Sequence, residues 1–567
     1  MKYVYLAIVL MFSFRSFGQE NLTEKAKEKV KEGFKISGFL SANAVGYHVS
    51  GIPNRREPFY WIFSGNLNIS FLEWSIPITA TVSQQESDFD AQLPFNQFGV
   101  SPRYKSVTLH LGYRSLNFSE FTLAGNMFLG VGVEVAPENS LVKVSAMYGR
   151  FARALNERGA EGFNSRLPAY ERWGYGSKVT VGNEKREADL IFFKAADNLE
   201  SIDRTLADSV GLKPQENFVL GINTRQQITE KTQINVEYAL SAYTTDTRNP
   251  EIVLDKFTYA NNLGGIYVPR ESSQFNGAIS GSLTYGGEMI QLQVKYRRIG
   301  PEYKTMGSTF LNNDLEDITG GVSWRMLKGK INVSTNAGVQ RNNLDDEQLS
   351  SMVRIVAGAN IAYTVSNHLN LNASVANFNA SSQLTQFSAN TLSPIMRDSL
   401  YYLQVTNNAS LGANYSVGEG DFRNVLFSNA SYQDASSNQG NNTTFYNVNA
   451  GYQLNYVPAD FTVSTSFNYN DNSSEQVRNK SFGPSLVVAK HFFKRSLKCS
   501  LTSTALYNQL NAEKAADIYS TKFMTAYSYA KKHTLSFDAT YVSREAYTEN
   551  NKSFNELRAG ILYSYTF

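Results

Sequence analysis

The last stretch of the chain, Glu556-Leu-Arg-Ala-Gly-Ile-Leu-Tyr-Ser-Tyr-Thr-Phe567, alternates between two kinds of side chain. Its odd-numbered positions are apolar or aromatic, and its even-numbered positions are polar or small except for Leu562. Because successive side chains of a β-strand point to opposite faces, this stretch predicts a strand with one apolar and one polar face.

The same alternation returns along the chain, for example in Ile234–Ser241, Ile290–Arg297, Ile331–Gln340 and Phe461–Tyr469. These segments are longer than the mean strand of a soluble protein, which has about 5–6 residues. A tilted membrane strand needs about 9–11 residues, and Tyr and Phe gather near the segment ends, as in an interfacial girdle. The pattern therefore favours a transmembrane β-barrel over a soluble sandwich.

The connections support the same fold. Short ones such as Lys328-Gly329, Ser366-Asn367 and Lys531-Lys532 alternate with long ones such as 151–172 and 245–275. Short periplasmic turns opposite long outer loops are typical of outer-membrane barrels. No mature segment is apolar for long enough to predict a transmembrane helix, which needs about 20 residues.

The number of strands follows from parity, since single-chain bacterial barrels have an even number. If residues 116–123 are taken as a loop, the strands before and after them run in the same direction, which an antiparallel barrel does not allow. Leu116 and Phe118, then Phe121 and Leu123, alternate with a slip at Ser119-Glu120, which predicts a strand with a β-bulge. The prediction is an all-β, large antiparallel barrel of more than 20 strands, about 26, with a short N-terminal helix.

The composition excludes several classes of function. The 567 residues include 53 Lys and Arg against 50 Asp and Glu, so the net charge of +3 gives no case for nucleic acid as a partner. Cys499 is the only cysteine, which excludes a disulfide framework and a multi-cysteine metal site. The five histidines form no ligand pair in sequence, so no metal and no cofactor is expected.

The N-terminus predicts export. Residues 1–18 combine Lys2, an apolar core and small residues at Ser16 and Gly18, which is typical of a cleaved signal peptide. An N-terminal membrane anchor is the alternative, but the apolar core is too short to span a bilayer. Residues 19–34 are expected to form a charged periplasmic helix or tail; a docking peptide for a periplasmic partner is the alternative.

Residues 35–567 are assigned to the barrel, whose lumen at this size must be filled. TonB-dependent transporters use an N-terminal plug domain, and residues 19–34 are too few for one, so TonB dependence is not expected. Candidate fillers are the long outer loops, a second protein and segment 86–104. The candidate plug residues of that segment are Pro94, Phe95, Asn96, Phe98 and Pro102.

Polar positions opposite the apolar faces are expected to line the lumen. The candidate lumen residues are His110, Glu237, Lys295, Arg297, Asp538 and Arg558. A hydrolase would need a nucleophile and an orienting group beside a histidine, and His110 is a lone histidine in this pattern. The sequence therefore predicts that the protein is not an enzyme.

Charged loops add two open interpretations. The acidic runs Asn312–Asp317 and Asn342–Glu347 are expected to be solvated loops, with calcium binding as the alternative, although neither has the spacing of a known calcium loop. Arg150, Arg153, Arg158, Arg166 and Arg172 make loop 151–172 basic. That loop is either a solvated charged loop or a contact for lipopolysaccharide phosphates or an acidic partner.

Several stretches resemble a family of outer-membrane β-barrel proteins of Bacteroidota, over roughly residues 35–380. The stretches that carry the resemblance are Phe95–Tyr104, Leu109–Arg114, Phe118, Thr122–Gly125, Phe128–Gly132, Tyr148–Phe151, Pro214–Asn217, Ala239–Tyr243, Tyr303–Gly307 and Asn312–Glu316. The family has no settled activity, so the resemblance implies the fold and the location only. Tyr563, Tyr565 and Phe567 resemble the terminal signal that the barrel-assembly machinery reads.

We therefore expect an integral protein of the bacterial outer membrane that acts as a porin-like, loop-gated or plugged channel for polar solutes. A scaffold or accessory subunit of an outer-membrane secretion or assembly machine is the alternative. Expected partners are outer-membrane lipid and lipopolysaccharide, and the assembly machinery during biogenesis. A periplasmic or surface protein is a further candidate partner.

Overall fold

The computed structural model describes residues 33–84, 94–155, 168–255, 258, 261, 265–345, 353–382, 402–418, 420–437, 442–548 and 552–567. The predicted signal peptide and residues 19–32 lie outside the described residues, as do residues 86–93 of the predicted plug. Within the described ranges, no helix has the length and apolar character needed to cross a bilayer.

The chain is built almost entirely from antiparallel strands. They are β1 (Lys35–Ser50), β2 (Phe59–Phe71), β3 (Trp74–Ser83), β4 (Gln97–Val100), β5 (Arg103–Tyr104), β6 (Val107–Asn117), β7 (Ala124–Val135), β8 (Val142–Ala152), β9 (Arg172–Asn183), β10 (Arg186–Asp197), β11 (Glu216–Thr229), β12 (Thr232–Thr244), β13 (Ser273–Gly286), β14 (Ile290–Ile299), β15 (Leu315–Met326), β16 (Ile331–Arg341), β17 (Val353–Thr364), β18 (Leu369–Ser382), β19 (Tyr402–Val417), β20 (Phe422–Ser437), β21 (Thr443–Tyr456), β22 (Phe461–Ser474), β23 (Arg478–Phe492), β24 (Leu497–Leu510), β25 (Glu513–Tyr529), β26 (His533–Ala546) and β27 (Phe554–Thr566). A short helix, α1 (Arg204–Ser209), and 3₁₀ turns at Leu199–Ser201, Leu327–Gly329 and Val457–Ala459 lie in the connections.

The sheet closes on itself, because β27 pairs with β1 from Phe39↔Thr566 to Ser50↔Asn555. β4 and β5 share one position in the wall: both pair with β3 on one side and with β6 on the other. The barrel therefore has 26 strand positions. The predicted fold class and strand number are confirmed.

The strand that completes this number is not the predicted one. Residues Phe118–Leu123 leave the wall after β6, and the Phe118 amide donates to the Leu123 carbonyl oxygen at 2.8 Å to close a turn. Phe121 and Leu123 are fully buried. Segment 97–104, expected to fill the lumen, supplies the missing wall position instead. Apolar side chains alternate both in a wall strand and in a segment folded into the lumen, so alternation alone does not distinguish the two.

The outward face of the sheet is apolar, as the alternation predicts. In β27 the outward residues Leu557, Ile561 and Tyr563 are all exposed, with Ile561 at 52%. Outward residues of distant strands, such as Val294 in β14 and Leu411 in β19, are equally exposed. An apolar belt around a closed sheet is the surface of an outer-membrane-type barrel.

The connections are short at the end of the barrel where β27 finishes. At the other end they are long between β1 and β19, as expected, but Glu475–Val477 and Asn511–Ala512 are short there too. The predicted alternation of short and long connections therefore fails after β21. The long connections are gathered over the first half of the wall.

The C-terminal residue is fixed at the seam of the barrel. The Phe567 amide donates to the Gly38 carbonyl oxygen at 3.0 Å, and the ring centroids of Phe567 and Tyr565 are 4.7 Å apart.

We predict that Phe567→Ala lowers the yield of folded barrel, because the seam loses a ring that is also part of the expected assembly signal. The measurement is heat-modifiable mobility in gels of membranes from expressing cells. Phe422→Ala is the matched control, since Phe422 is an outward ring at the same end whose centroid lies 4.8 Å from that of Tyr456. Equal yields from the two variants would contradict a special role for the terminus.

Candidate functional site

The inner face of the barrel can be followed strand by strand from the register. Glu237 of β12 is paired with Ser280 of β13, Ser280 with Arg297 of β14, and Arg297 with Asp317 of β15. Contacts between this face and the β6–β7 connection join strands that are far apart around the wall. Such contacts are formed only across the inside of a closed sheet. We therefore call the face that carries Glu237, Arg297 and Asp317 the lumen face.

All six candidate lumen residues lie on this face, but in three separate places. Glu237, Lys295 and Arg297 form one group. Asp538 and Arg558 form a second beside the β27–β1 seam, where Arg558 Nη1 lies 3.1 Å from Asp538 Oδ2. His110 lies apart from both, in β6.

The β6–β7 connection, Phe118–Leu123, folds into the lumen, and we call it the inner strap. Glu120 of the inner strap pairs with Arg297 Nη1 at 3.2 Å and with Lys295 Nζ at 3.6 Å. The Phe121 amide donates to Glu237 Oε1 at 2.9 Å. The first group of predicted lumen residues is therefore the anchor of the inner strap, not a free charged lining.

A second connection holds the inner strap in place. Tyr303–Gly307, which we call the clamp, lies between β14 and β15. The Tyr303 hydroxyl donates to the Phe121 carbonyl oxygen at 2.7 Å. The Thr305 hydroxyl donates to the Thr122 carbonyl oxygen at 2.7 Å. The Ala124 amide donates to the Gly307 carbonyl oxygen at 2.9 Å. Burial raises the pKa of the Tyr303 hydroxyl well above its usual value, so it remains a donor.

Asn217 of β11 connects the clamp to the wall. Its side-chain amide donates to the carbonyl oxygens of Ala242 at 3.1 Å and Lys304 at 3.2 Å, and its Oδ1 accepts from the Met306 amide at 3.0 Å. Asn217 is completely buried. One side chain thus bonds to three backbone groups, of which the Lys304 carbonyl oxygen also accepts from the Ser241 hydroxyl at 2.5 Å.

An apolar cluster on the lumen face receives the inner strap. Phe118, Phe121 and Leu123 pack there with side chains from β6–β14. The wall members are Leu116, Phe128, Met147, Phe151, Ile191, Phe193, Ala195, Val219, Ala239, Tyr243, Ala278 and Ile299. A lumen wall this apolar needs a cover, because exposed apolar surface in an aqueous lumen is unfavourable.

Glycines make room for the aromatic rings of this cluster. Gly99, Gly112, Gly130, Gly149 and Gly174 pair in one row across five neighbouring wall positions. A Cβ at Gly149 would lie 2.6 Å from Phe128 Cδ2, and one at Gly174 would lie 2.6 Å from Phe151 Cε2. Side chains in this row would displace the rings that the inner strap covers.

The opposite half of the lumen face carries a row of polar, uncharged side chains. One row of paired residues runs across nine strands from β16 to β24 and carries only hydroxyl and carboxamide side chains. The row is Ser334, Asn360, Ser374, Ser410, Ser431, Asn447, Asn470, Ser481 and Asn508. We call it the neutral row. Neighbours bond to each other, as Ser374 Oγ and Ser410 Oγ do at 2.6 Å.

The predicted plug at 86–104 is wrong where it is described. Gln97–Val100 and Arg103–Tyr104 are wall strands, and Pro102 stands between them. Phe98 points outward and is 57% exposed. Asn96 Oδ1 accepts from the Ser83 amide at 2.7 Å, which ties Pro94, Phe95 and Asn96 to the end of β3. The described lumen fillers are the inner strap and the clamp.

The charged loops are largely engaged in ion pairs and hydrogen bonds. Asp314 accepts from the amides of Asn343 and Leu344 at 2.9 and 2.8 Å, and Asp317 pairs with Arg297 at 2.8 Å. These carboxylates are buried, so the expectation of solvated loops is wrong for them. Across the described residues, no group of three or more His, Cys, Asp or Glu side chains could hold a metal ion.

The basic loop is paired in the same way. Arg150 lies 3.2 Å from Glu171, and Arg172 lies 2.8 Å from Asp197. Arg158 and Arg166 are outside the described residues. The described part of this loop therefore presents ion pairs, not free arginines.

The residues that sequence reasoning missed are Glu120, Asn217 and the clamp. Their signal was present in the stretches that carry the family resemblance. Thr122–Gly125, Pro214–Asn217, Ala239–Tyr243 and Tyr303–Gly307 are far apart in sequence and meet at the inner strap.

Comparison with known proteins adds little beyond the fold. No protein-family model matches the chain, and no curated protein matches it. Among solved structures, the FrpB iron transporter from Neisseria meningitidis is 9% identical with a TM-score of 0.38, over 95% of this chain and 84% of that chain. The copper transporter OprC is 8% identical with a TM-score of 0.41, over 94% of this chain and 80% of that chain.

Pseudomonas aeruginosa OccK1 (OpdK) is 9% identical with a TM-score of 0.30, over 63% of this chain and 93% of that chain. All three are barrels of the same general kind, and at these identities and TM-scores the likeness carries no argument about function.

We predict that Asn217→Ala loosens the inner strap without opening the barrel. Each buried backbone group left without a partner costs about 1–3 kcal/mol, and the wall ladder does not depend on this side chain. Hydrogen–deuterium exchange of the amides in 118–123 and 303–307 should become faster. Asn449→Ala is the matched control, since it removes a lumen-face bond to Asn468 of 2.5 Å in the other half. Unchanged exchange at the inner strap would contradict the anchoring role.

Proposed function

We propose that the chain is an integral outer-membrane channel in which polar solutes move along the neutral row while the inner strap and clamp narrow the other half of the lumen. The observation that carries the proposal is this division of the lumen face. One half carries the apolar cluster, which the chain's own connections cover. The other half bears the neutral row, with no filler seated on it among the described residues.

Hydroxyl and carboxamide groups suit passage because each donates and accepts hydrogen bonds. They can replace part of the water around a polar solute without holding it as an opposite charge would. The neutral row therefore supports transport of polar solutes in general and indicates no particular solute. Independence from TonB stays a prediction, and conductance of the purified chain in planar bilayers that contain no TonB would support it.

Ion selectivity should depend on Glu120. Glu120→Ala leaves Lys295 without its carboxylate and Arg297 with only Asp317, so the lumen gains positive potential. We predict a shift of the reversal potential towards anions in planar bilayers under a salt gradient. Glu316→Ala is the matched control, because Glu316 pairs with Arg298 and Arg341 on the outward face. A shift of the same size in both variants would contradict a conducting lumen beside the inner strap.

The size of the pore should depend on the inner strap itself. Replacing Phe118–Leu123 by Asn-Gly between Asn117 and Ala124 removes the covering segment and keeps the β6–β7 hairpin. We predict a larger single-channel conductance than that of the wild type, with unchanged heat-modifiable mobility. No change in conductance from a folded variant would overturn the inner strap as the part that narrows the lumen.

A scaffold or accessory role is the second candidate, favoured by the organised loops at the long end. Arg248 bonds to Asp246 at 2.9 Å and to Asp208 of α1 at 2.7 Å, and Tyr170, Ile202 and Ala207 pack beneath them. Burial acts to raise the pKa of the Asp246 carboxyl, but the Arg248 hydrogen bonds outweigh it and hold that pKa below its usual value. Extraction of the protein from the membrane in mild detergent, followed by mass spectrometry, would reveal stoichiometric partners if these loops bind one.

A further inference from the structure

His110 is not the lone histidine that the sequence suggested. Its Nδ1 lies 3.0 Å from the Ser101 hydroxyl oxygen, and its Nε2 lies 3.0 Å from Glu134 Oε2. Ser101 and the His110 side chain are largely buried, whereas the Glu134 side chain is 45% exposed. A hydroxyl, an imidazole and a carboxylate in this order form the constellation in which a base activates a nucleophile and an acid orients the base.

The fold fixes the three side chains from different strands. Ser101 lies in the break between β4 and β5, where its amide donates to the Pro77 carbonyl oxygen at 2.9 Å. Proline cannot donate in the ladder, so Pro102 interrupts the strand beside Ser101. His110 is paired with Gly132 of β7, which lies two residues before Glu134 in the same strand.

The wall is open beside this group. β4 pairs with β6 only at Gly99↔Gly112 and Val100↔Leu111. Beyond these pairs a cavity of about 400 Å³ opens between the two strands, and Ser101 and His110 are on its lining. Its lining comes from both faces of the sheet: Thr79, Gln97 and Arg114 from the lumen face, and Phe98, Tyr113 and Met127 from the outward face.

Arg114 places unused donors in the same cavity. Its Nη1 donates to the Thr79 hydroxyl oxygen at 2.6 Å. Its Nε and Nη2 are buried and have no hydrogen-bond partner within the described part of the chain. Buried guanidinium donors without partners are unfavourable in a resting protein, and they suit a negative charge that develops on a bound substrate.

We propose that Ser101, His110 and Glu134 form an esterase triad that cleaves the acyl ester of an amphiphile whose acyl chain enters through the gap between β4 and β6. The apolar side chains on the outward side of the gap suit an acyl chain. The imidazole, the hydroxyl and the guanidinium on the lumen side suit its ester group. This activity is separate from transport and does not depend on the proposed channel.

The reaction balances with water as the only co-reactant. The Ser101 oxygen bonds to the ester carbonyl carbon while its proton passes to His110 Nδ1, and Arg114 donors face the oxyanion. The bond to the alcohol oxygen breaks, and the alcohol leaves with the proton from His110. Water then attacks the carbonyl carbon of the acyl-serine while one of its protons passes to His110 Nδ1. The bond to the Ser101 oxygen breaks, His110 returns that proton to Ser101, and the carboxylic acid departs. Glu134 accepts from His110 Nε2 and stabilises the imidazolium.

The first test is covalent labelling of the folded full chain with a fluorophosphonate probe, read by peptide mass spectrometry. Ser101 should carry the adduct, and His110→Gln should slow labelling at least 100-fold, the usual size of a general-base contribution. Ser64→Ala is the matched control, since Ser64 is a lumen-face serine whose hydroxyl faces Ser41 Oγ at 2.7 Å. No adduct on Ser101, or labelling unaffected by His110→Gln, would overturn the triad.

A second measurement needs no substrate. In a Cys499→Ser background, Ser101→Cys places a thiol beside His110, and an imidazole partner should lower the pH midpoint of its alkylation by iodoacetamide. The midpoint should return towards that of a free thiol when His110→Gln is added. Equal midpoints with and without His110 would overturn the coupling between the two side chains.

The source of the ester is decided by comparing two substrates. Phospholipid of the bilayer that holds the reconstituted protein should be hydrolysed. Met127→Trp narrows the outward side of the gap, so it should slow phospholipid hydrolysis more than hydrolysis of water-soluble p-nitrophenyl butyrate. Hydrolysis of the soluble ester alone would overturn the amphiphile as substrate. Hydrolysis of neither ester, with Ser101 unlabelled, would overturn the activity and leave the channel proposal unaffected.

Discussion

The structure depends on the closed ladder of backbone hydrogen bonds. In the core of a membrane no water is available to pair with a free amide or carbonyl group, so a sheet is stable there only if its first and last strands meet. β27 and β1 meet along their length, and the chain ends at this seam with the Phe567 amide bonded to Gly38. Every other feature of the barrel is placed by the register that this closure imposes.

Closure at 26 positions creates a wide lumen, and two of the chain's own connections fold into it. The inner strap and the clamp are held by backbone groups paired to side chains such as Glu237, Tyr303 and Asn217. Those bonds matter because a segment inside the lumen has no ladder of its own. The glycine row and the aromatic rings beside it give the inner strap a surface with complementary shape.

The two halves of the lumen differ in chemistry because they differ in what covers them. Long connections lie over the first half of the wall, where the lumen face carries the apolar cluster. Short ones lie over the end of the second half, which carries the neutral row. The ladder is weakest where β4 and β5 replace a full strand. There the wall opens beside Ser101, His110 and Glu134, so the place with the fewest backbone bonds also carries a reactive arrangement of side chains.

The sequence by itself determined the period of two, the apolar outward face, the antiparallel barrel and its approximate size, because these are local properties of alternating side chains. It also placed Glu237, Arg297 and Arg558 on one face. Only the tertiary structure decided which segment is wall and which is filler: Phe118–Leu123 and Gln97–Tyr104 exchanged their expected places, since buried apolar residues look alike in a wall and in a lumen. The contacts of Asn217 with the clamp and of His110 with Ser101 and Glu134 depend on which strands become neighbours, and alternation along one strand holds no information about the strand beside it.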